Sequence, residues 1–336
     1  MARTGPDAAL HIITGKGGTG KTTVAAALAI ALATDGQRVL LVEVEGRQGI
    51  AGLFDLAPLP YEEKRLAAAP NGGEVYGLAV DTEQAMLEYL EMFYNIRRAG
   101  RALRTMGAID FVTTIAPGLR DVILTGKVKE AVTRRQPDGD TYYDSVVLDA
   151  PPTGRIRQFL DVTKDVAGLT KAGPIHKQSQ GVIQVFHGPT TQIHLVTLLE
   201  EMPVQETVDA ARELADAGFN VSTVIINRAS RQAIDDGLVQ PTHVGGAADI
   251  DSLKRGLIEA GIDPAFTAGL AQQLLDFELR QQMQEENAAR LAVLDRPTIS
   301  LPELTPPVDL GGLYELGDAL AAELTQHAPT GTGRAV

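Results

Sequence analysis

No cysteine occurs in the chain. Disulfides, thiolate nucleophiles, iron–sulfur clusters and cysteine-ligated zinc are therefore excluded. Tryptophan is also absent, and aromatics make up only 4% of the 336 residues, so Leu, Val, Ile and Ala must fill any core. They are plentiful enough, because 44% of the chain is hydrophobic. This length suits one large α/β domain with an insertion, or two domains. Positive charge is in deficit: 30 Lys and Arg against 43 Asp and Glu leave a net charge of −13. Non-specific nucleic-acid binding works by neutralising phosphates, so this balance disfavours a nucleic-acid partner. Long apolar runs are missing too, and none approaches the roughly 20 residues needed to span a bilayer. The first ten residues lack the charged-then-apolar pattern of a secretory signal. The expectation is a cytoplasmic protein.

What is present begins with Gly15-Lys16-Gly17-Gly18-Thr19-Gly20-Lys21-Thr22-Thr23. An apolar run precedes it and a helical pattern follows. It matches the phosphate loop G-x-x-x-x-G-K-[ST]. Glycines let the backbone turn its N–H groups inward around an anion, and the helix N-terminus adds partial positive charge there. Lys21 is expected on the β- and γ-phosphates and Thr22 on Mg²⁺. Gly15-x-Gly17-x-x-Gly20 also fits the dinucleotide fingerprint, with Glu43 near the place of a ribose-binding acid. Lys21-Thr22 has no role in that fingerprint, so mononucleotide binding is the stronger reading. The early Lys16 is not required by a plain phosphate loop.

Short apolar runs alternate with helical patterns, which predicts a doubly wound, mostly parallel sheet covered by helices. Strands are predicted at 9–14, 38–43, 75–80, 145–148, 181–186, 222–226 and 298–301. Residues 82–140 and 160–180 interrupt the rhythm and predict a helical insertion subdomain within a single domain over 1–336. A polar loop is expected at 228–250, a long polar helix at 266–294 and a flexible tail at 326–336.

Around the loop, Asp149 ends an apolar strand and precedes Ala-Pro-Pro-Thr153-Gly154-Arg155. A P-loop enzyme needs such an acid to organise Mg²⁺, and Thr153 and Gly154 suit a segment that responds to the γ-phosphate. Glu43 and Glu45 lie on one side of an extended segment, where either is placed to orient an attacking water. Asn227 follows the 222–226 strand, where its amide has the donor and acceptor to read adenine. Met86, Met92 and Met106, among Leu87, Leu90, Phe93, Leu103 and Ile109, offer a client groove or ordinary core. Arg97, Arg101 and Arg104 share a helical face and, with Arg98, Lys127, Lys129, Arg134 and Arg135, make the insertion basic. That face is either solvated or docks an acidic partner.

The loop with its early lysine resembles that of a large ATPase group. The group includes chromosome-partition and septum-site ATPases, nitrogenase reductase, and the arsenite-pump and tail-anchored-protein-targeting ATPases. In the group the early lysine reaches the partner's nucleotide, so the resemblance implies a face-to-face dimer around ATP. Asp149-Ala-Pro-Pro-Thr153-Gly154-Arg-Ile-Arg-Gln-Phe159-Leu160 is similar to the D-T-A-P-T-G-H-x-x-R-x-L of the pump and targeting branch. The stretch from Val80 to Ala85, Pro117-Gly118, Glu206-Thr207 and Leu301-Pro302 resemble further segments of that branch, from about residue 9 to 322. The implied site has Lys16, Lys21 and Glu45 as catalytic groups and Gly17, Gly18, Thr19, Gly20, Lys21, Thr22 and Thr23 around the phosphates. Asn227 and Pro302 frame adenine, Thr22 and Asp149 hold Mg²⁺, and Glu43, Glu45, Asp149, Thr153 and Gly154 form the switches.

The branch carries D-P-A-H-[SN] in its first switch. Registering on Phe54 puts Glu45 at that Asp. A carboxylate longer by one methylene predicts slow or absent hydrolysis, because water positioning tolerates shifts of only about 1 Å. The zinc-binding C-x-x-C and the metalloid-binding cysteines of the branch are missing, so neither zinc nor arsenite is expected. The expected function is a dimeric MgATP switch, paired with itself or with a related ATPase, serving a protein client or membrane-protein partner. Two alternatives remain open: a non-hydrolysing ATP-binding regulatory subunit, and a positioning ATPase of the chromosome-partition type.

Overall fold

The computed structural model describes residues 9–94, 117–169, 174–229, 250–305 and 307–326. Eight strands among them form one sheet. They are β1 (Ala9–Gly15), β2 (Arg38–Glu43), β3 (Lys64–Ala68), β4 (Glu74–Ala79), β5 (Ser145–Asp149), β6 (Thr191–Thr197), β7 (Val221–Ala229) and β8 (Thr298–Pro302). Their order is β3-β4-β2-β5-β1-β6-β7-β8. Every neighbouring pair is parallel except β3–β4, which is antiparallel at the edge. The sheet grows outward from β1 in both directions, and ligands of open α/β sheets bind where strand order reverses, beyond the carboxyl ends.

Central strands are apolar on both faces because helices cover both. Leu10, Ile12, Leu40 and Val42 point into one core layer, and Ile13, Val39 and Leu41 into the other. The second layer is built on α1 (Lys21–Ala33), whose sequence KTTVAAALAIALA is small and apolar on nearly every side. A helix apolar all round must be buried all round. The sheet and α2 (Gly49–Leu53) cover α1 on one side and α10 (Leu310–Gln326) on the other. Gly317 permits the close approach of α10: a Cβ there would lie 3.2 Å from Ile30 and 3.3 Å from the Ala27 carbonyl.

The opposite face carries α3 (Thr82–Tyr94), α4 (Pro117–Thr133), α5 (Thr153–Leu169) and α6 (Pro174–Phe186). These four pack on one another, and α4 also packs on β5. Asp81 starts α3 by accepting the Gln84 amide at 2.8 Å, the reach of an N-cap. Past β6, α7 (Glu201–Asp216) covers β6 and β7, while α8 (Ile250–Glu259) and α9 (Pro264–Ala292) form a helical hairpin braced on α7.

One expectation is corrected, and two strands go beyond those expected. Residues 181–186 are helical, as the last turns of α6, and the strand lies later, at β6. Gly181-Val-Ile-Gln-Val-Phe186 is a short apolar run that periodicity alone cannot assign. Thr191-Gln-Ile-His-Leu-Val-Thr197 conceals its strand character behind polar residues, three of which are buried. The edge strand β3, half-exposed and charged at its start, was not expected either. The basic positions Arg97, Arg98, Arg101 and Arg104, with Met106, Leu103 and Ile109, lie outside the described residues. So do nearly all of the 228–250 loop and the tail after residue 326.

Candidate functional site

The phosphate loop joins β1 to α1 beside β6. Gly15 is pressed so closely on β6 that a Cβ would collide with the Val196 carbonyl. Gly18 and Gly20 hold left-handed φ values of 89° and 87°, which L side chains adopt only at a cost. Thr19 Oγ1 donates to the Lys16 carbonyl at 2.9 Å and tightens the turn. Cβ atoms at Gly17 or Gly18 would meet nothing within 4 Å. The loop therefore presents an open concave face of the kind that cradles phosphate.

Lys21 is buried at the first turn of α1. Burial pushes its ammonium below the ordinary value, and the neighbouring Asp149 and Glu45 carboxylates oppose that. Thr22 follows with its Oγ1 donating to Asp149 Oδ2 at 2.6 Å, and Thr23 is half-buried beside it. These two oxygens come from residues 127 apart in sequence and meet because β5 lies next to β1. Burial lifts Asp149 to about 6, with Glu43 and Glu45 adding to the rise and the Thr22 hydroxyl and Lys21 opposing it.

Glu43 ends β2 directly opposite Asp149. Its Oε2 accepts the Ile50 amide at 3.2 Å and so caps α2, while its buried Oε1 has no partner among the described residues. An orphaned buried carboxylate oxygen beside a Thr–Asp pair fits a hard divalent cation and its waters. Among the described residues no three His, Asp or Glu side chains gather as a self-sufficient metal site. Mg²⁺ would accordingly take its other ligands from phosphate and water, as is usual for that ion.

Glu45 is more exposed and pairs with Arg47 at 3.4 Å. The chain then turns through Gly46 and Gln48 with φ of 68° and 56°. The Gln48 amide clamps the Leu59 peptide from both sides, accepting its N–H at 2.8 Å and donating to its C=O at 3.2 Å. A Cβ at Gly49 would lie 3.2 Å from the Thr22 methyl. This segment thus leans directly on the residue that meets Asp149.

Thr153 opens α5 and is buried, with Gly154 exposed behind it. The Thr153 hydroxyl donates to Glu206 Oε2 at 3.2 Å, and the other oxygen of Glu206 holds Lys16 Nζ at 2.7 Å. Sequence reasoning noted Glu206 only as part of a resembling helix and gave it no role. At the far side, Asn227 Nδ2 donates to the Thr19 carbonyl at 2.8 Å, under Gly20. Pro302 lies on β8 in register with Ala229, so it shares the same strand-end edge as Asn227.

A glycine loop between a parallel strand and a helix, a Lys-Thr pair at its end and an acid on the neighbouring strand define a P-loop nucleotide hydrolase fold. The sequence model of the anion-transporting ATPases matches residues 9–188, more than half of the chain, and the chain belongs to that family. It is 52% identical to the ATPase BagA of Mycobacterium tuberculosis over 317 residues, covering 94% of this chain and 93% of that one. It is 26% identical to an arsenical pump-driving ATPase of Acidiphilium multivorum over 232 residues, 64% of this chain and 38% of that one. No helix among the described residues is long and apolar enough to cross a membrane.

Proposed function

We propose that the chain is a dimeric MgATP-dependent switch that couples nucleotide binding and hydrolysis to a partner protein. The observation that carries this reading is the 2.6 Å pairing of Thr22 with Asp149, set beside a buried Lys21 at the mouth of an open amide loop. The loop amides and Lys21 would hold the phosphates, and Thr22 and Asp149 would hold Mg²⁺. When bound, the ion neutralises phosphate charge that develops during transfer. Lys16 would reach the nucleotide of a partner subunit. Asn227, already fixed to the loop, and Pro302 would border the base.

Glu45 is the proposed water-positioning residue, since its carboxylate faces Lys21 closely enough to support its charge. Its pairing with Arg47 requires that ion pair to open first. Steady release of phosphate from purified protein with MgATP, abolished by Lys21→Ala, supports the hydrolase reading. Binding of MgATP without turnover in the native protein would favour the second reading, a regulatory subunit that works beside an active relative. The longer first-switch carboxylate motivates that alternative. Glu45→Asp separates the two from the other side: turnover unchanged by it would remove Glu45 from the water-positioning role.

A further inference from the structure

Lys16 and Glu206 are 190 positions apart in sequence. The fold brings them together because β6 lies beside β1 and delivers α7 over the phosphate loop. Glu206 divides its two oxygens between the phosphate loop and the start of α5. Oε1 takes the Lys16 ammonium at 2.7 Å and Oε2 takes the Thr153 hydroxyl at 3.2 Å. We infer that Glu206 is a positioning residue that clasps Lys16 onto its own subunit until Thr153 lets go. The inference rests on the proposed reading in which Lys16 serves a partner's nucleotide.

The physical argument concerns where one ammonium can be. Paired with Glu206, Lys16 is folded back over its own α7 and cannot extend outward. Thr153 opens α5 four residues after Asp149, on the segment that the proposed reading assigns to sensing the terminal phosphate. If Thr153 turns toward that phosphate, Glu206 loses one of its two hydrogen bonds and holds Lys16 less tightly. Phosphate on one subunit is thereby linked to release of the lysine that the other subunit needs. The pair is suited to opening. The side chains of Lys16 and Glu206 are 29% and 37% exposed, and ion pairs this exposed are weak and screened by salt. A fully buried pair would cost too much to break on each cycle.

The test uses the full-length protein in sedimentation velocity, with magnesium and a non-hydrolysable ATP analogue. Native protein, Glu206→Gln and Lys16→Ala are compared. Glu206→Gln keeps the size and a hydrogen-bonding group but removes the charge that holds the ammonium. The expected result is association of Glu206→Gln at a protein concentration about 2- to 5-fold lower than native, the range an exposed ion pair supplies. The difference should narrow at high salt, which a purely structural role would not produce. Nucleotide-free melting should stay unchanged, and Glu206→Asp, with the charge but a shorter reach, should fall between. Should Glu206→Gln fold poorly, Glu206→Asp carries the same comparison. Association of Glu206→Gln equal to or weaker than that of native protein overturns the clasp. Failure of native protein to associate, with no effect of Lys16→Ala, overturns the dimer reading on which it stands.

Discussion

Acid should destabilise this protein through two buried histidines. His11 on β1 and His194 on β6 stack with ring centroids 5.3 Å apart, and His11 Nδ1 lies 3.0 Å from His194 Nε2. Burial holds His11 down to about 4; burial and the neighbouring His11 hold His194 down to about 3. Both therefore fold as neutral rings. An unfolded histidine titrates near 6.5. Folded values below the unfolded one mean that the stabilisation is complete above pH 6.5 and is lost as pH falls toward 4 and 3. At pH 4.5 the unfolded rings have gained protons over two pH units while the folded pair has gained few. At about 1.4 kcal/mol per unit and per ring, that is on the order of 5 kcal/mol. A loss of this size is comparable to the whole stability of many domains. The assay is urea unfolding at pH 7.0 and pH 4.5 without nucleotide, comparing native protein with the double variant His11→Leu, His194→Leu. Carboxylates titrate in both proteins, so their contribution cancels in the difference. Native protein should lose about 5 kcal/mol more than the variant over this interval. Equal losses would refute the argument, as would a ring-proton titration showing either histidine charging near pH 6.5. Because β1 runs straight into Gly15, the same acid step should weaken nucleotide binding before global unfolding.

Gly20→Ala should cost about 1–2 kcal/mol for the left-handed backbone. The new methyl also collides with the Asn227 amide and endangers its bond to Thr19. Lower melting temperature together with weaker binding of a fluorescent ATP analogue is the expected pair of results. Thr22→Val removes the hydroxyl that meets Asp149 while preserving shape. The magnesium concentration that half-saturates analogue binding should rise at least 10-fold, by analogy with the 10- to 100-fold losses seen when groups supporting a metal site are removed. An unchanged magnesium midpoint would take Thr22 out of the metal site.

The sequence by itself determined the chemistry that is local in the chain. The glycines of the loop, Lys21 and Thr22 follow one another, and their backbone needs are met within a single strand–turn–helix. The apolar run before Asp149 identified its strand, and the helical pattern after the loop identified α1. Helices and strands with strong periodicity were legible for the same reason, as the agreement at β2 shows. Where periodicity was ambiguous, at residues 181–186, only packing against α4 and α5 decided for helix. Residues 191–197 became a central strand because the sheet needed a neighbour for β1 there, polar residues notwithstanding.

What only the tertiary structure decided are the pairings between distant elements. Glu206 against Lys16 and Thr153, His11 against His194, and Asn227 beneath Gly20 all depend on strand order and register. Parallel strands are joined by long crossovers, so residues that share a hydrogen bond sit tens to hundreds of positions apart. Chain-local patterns report which side chains face a core, while the order of strands in the sheet selects their partners.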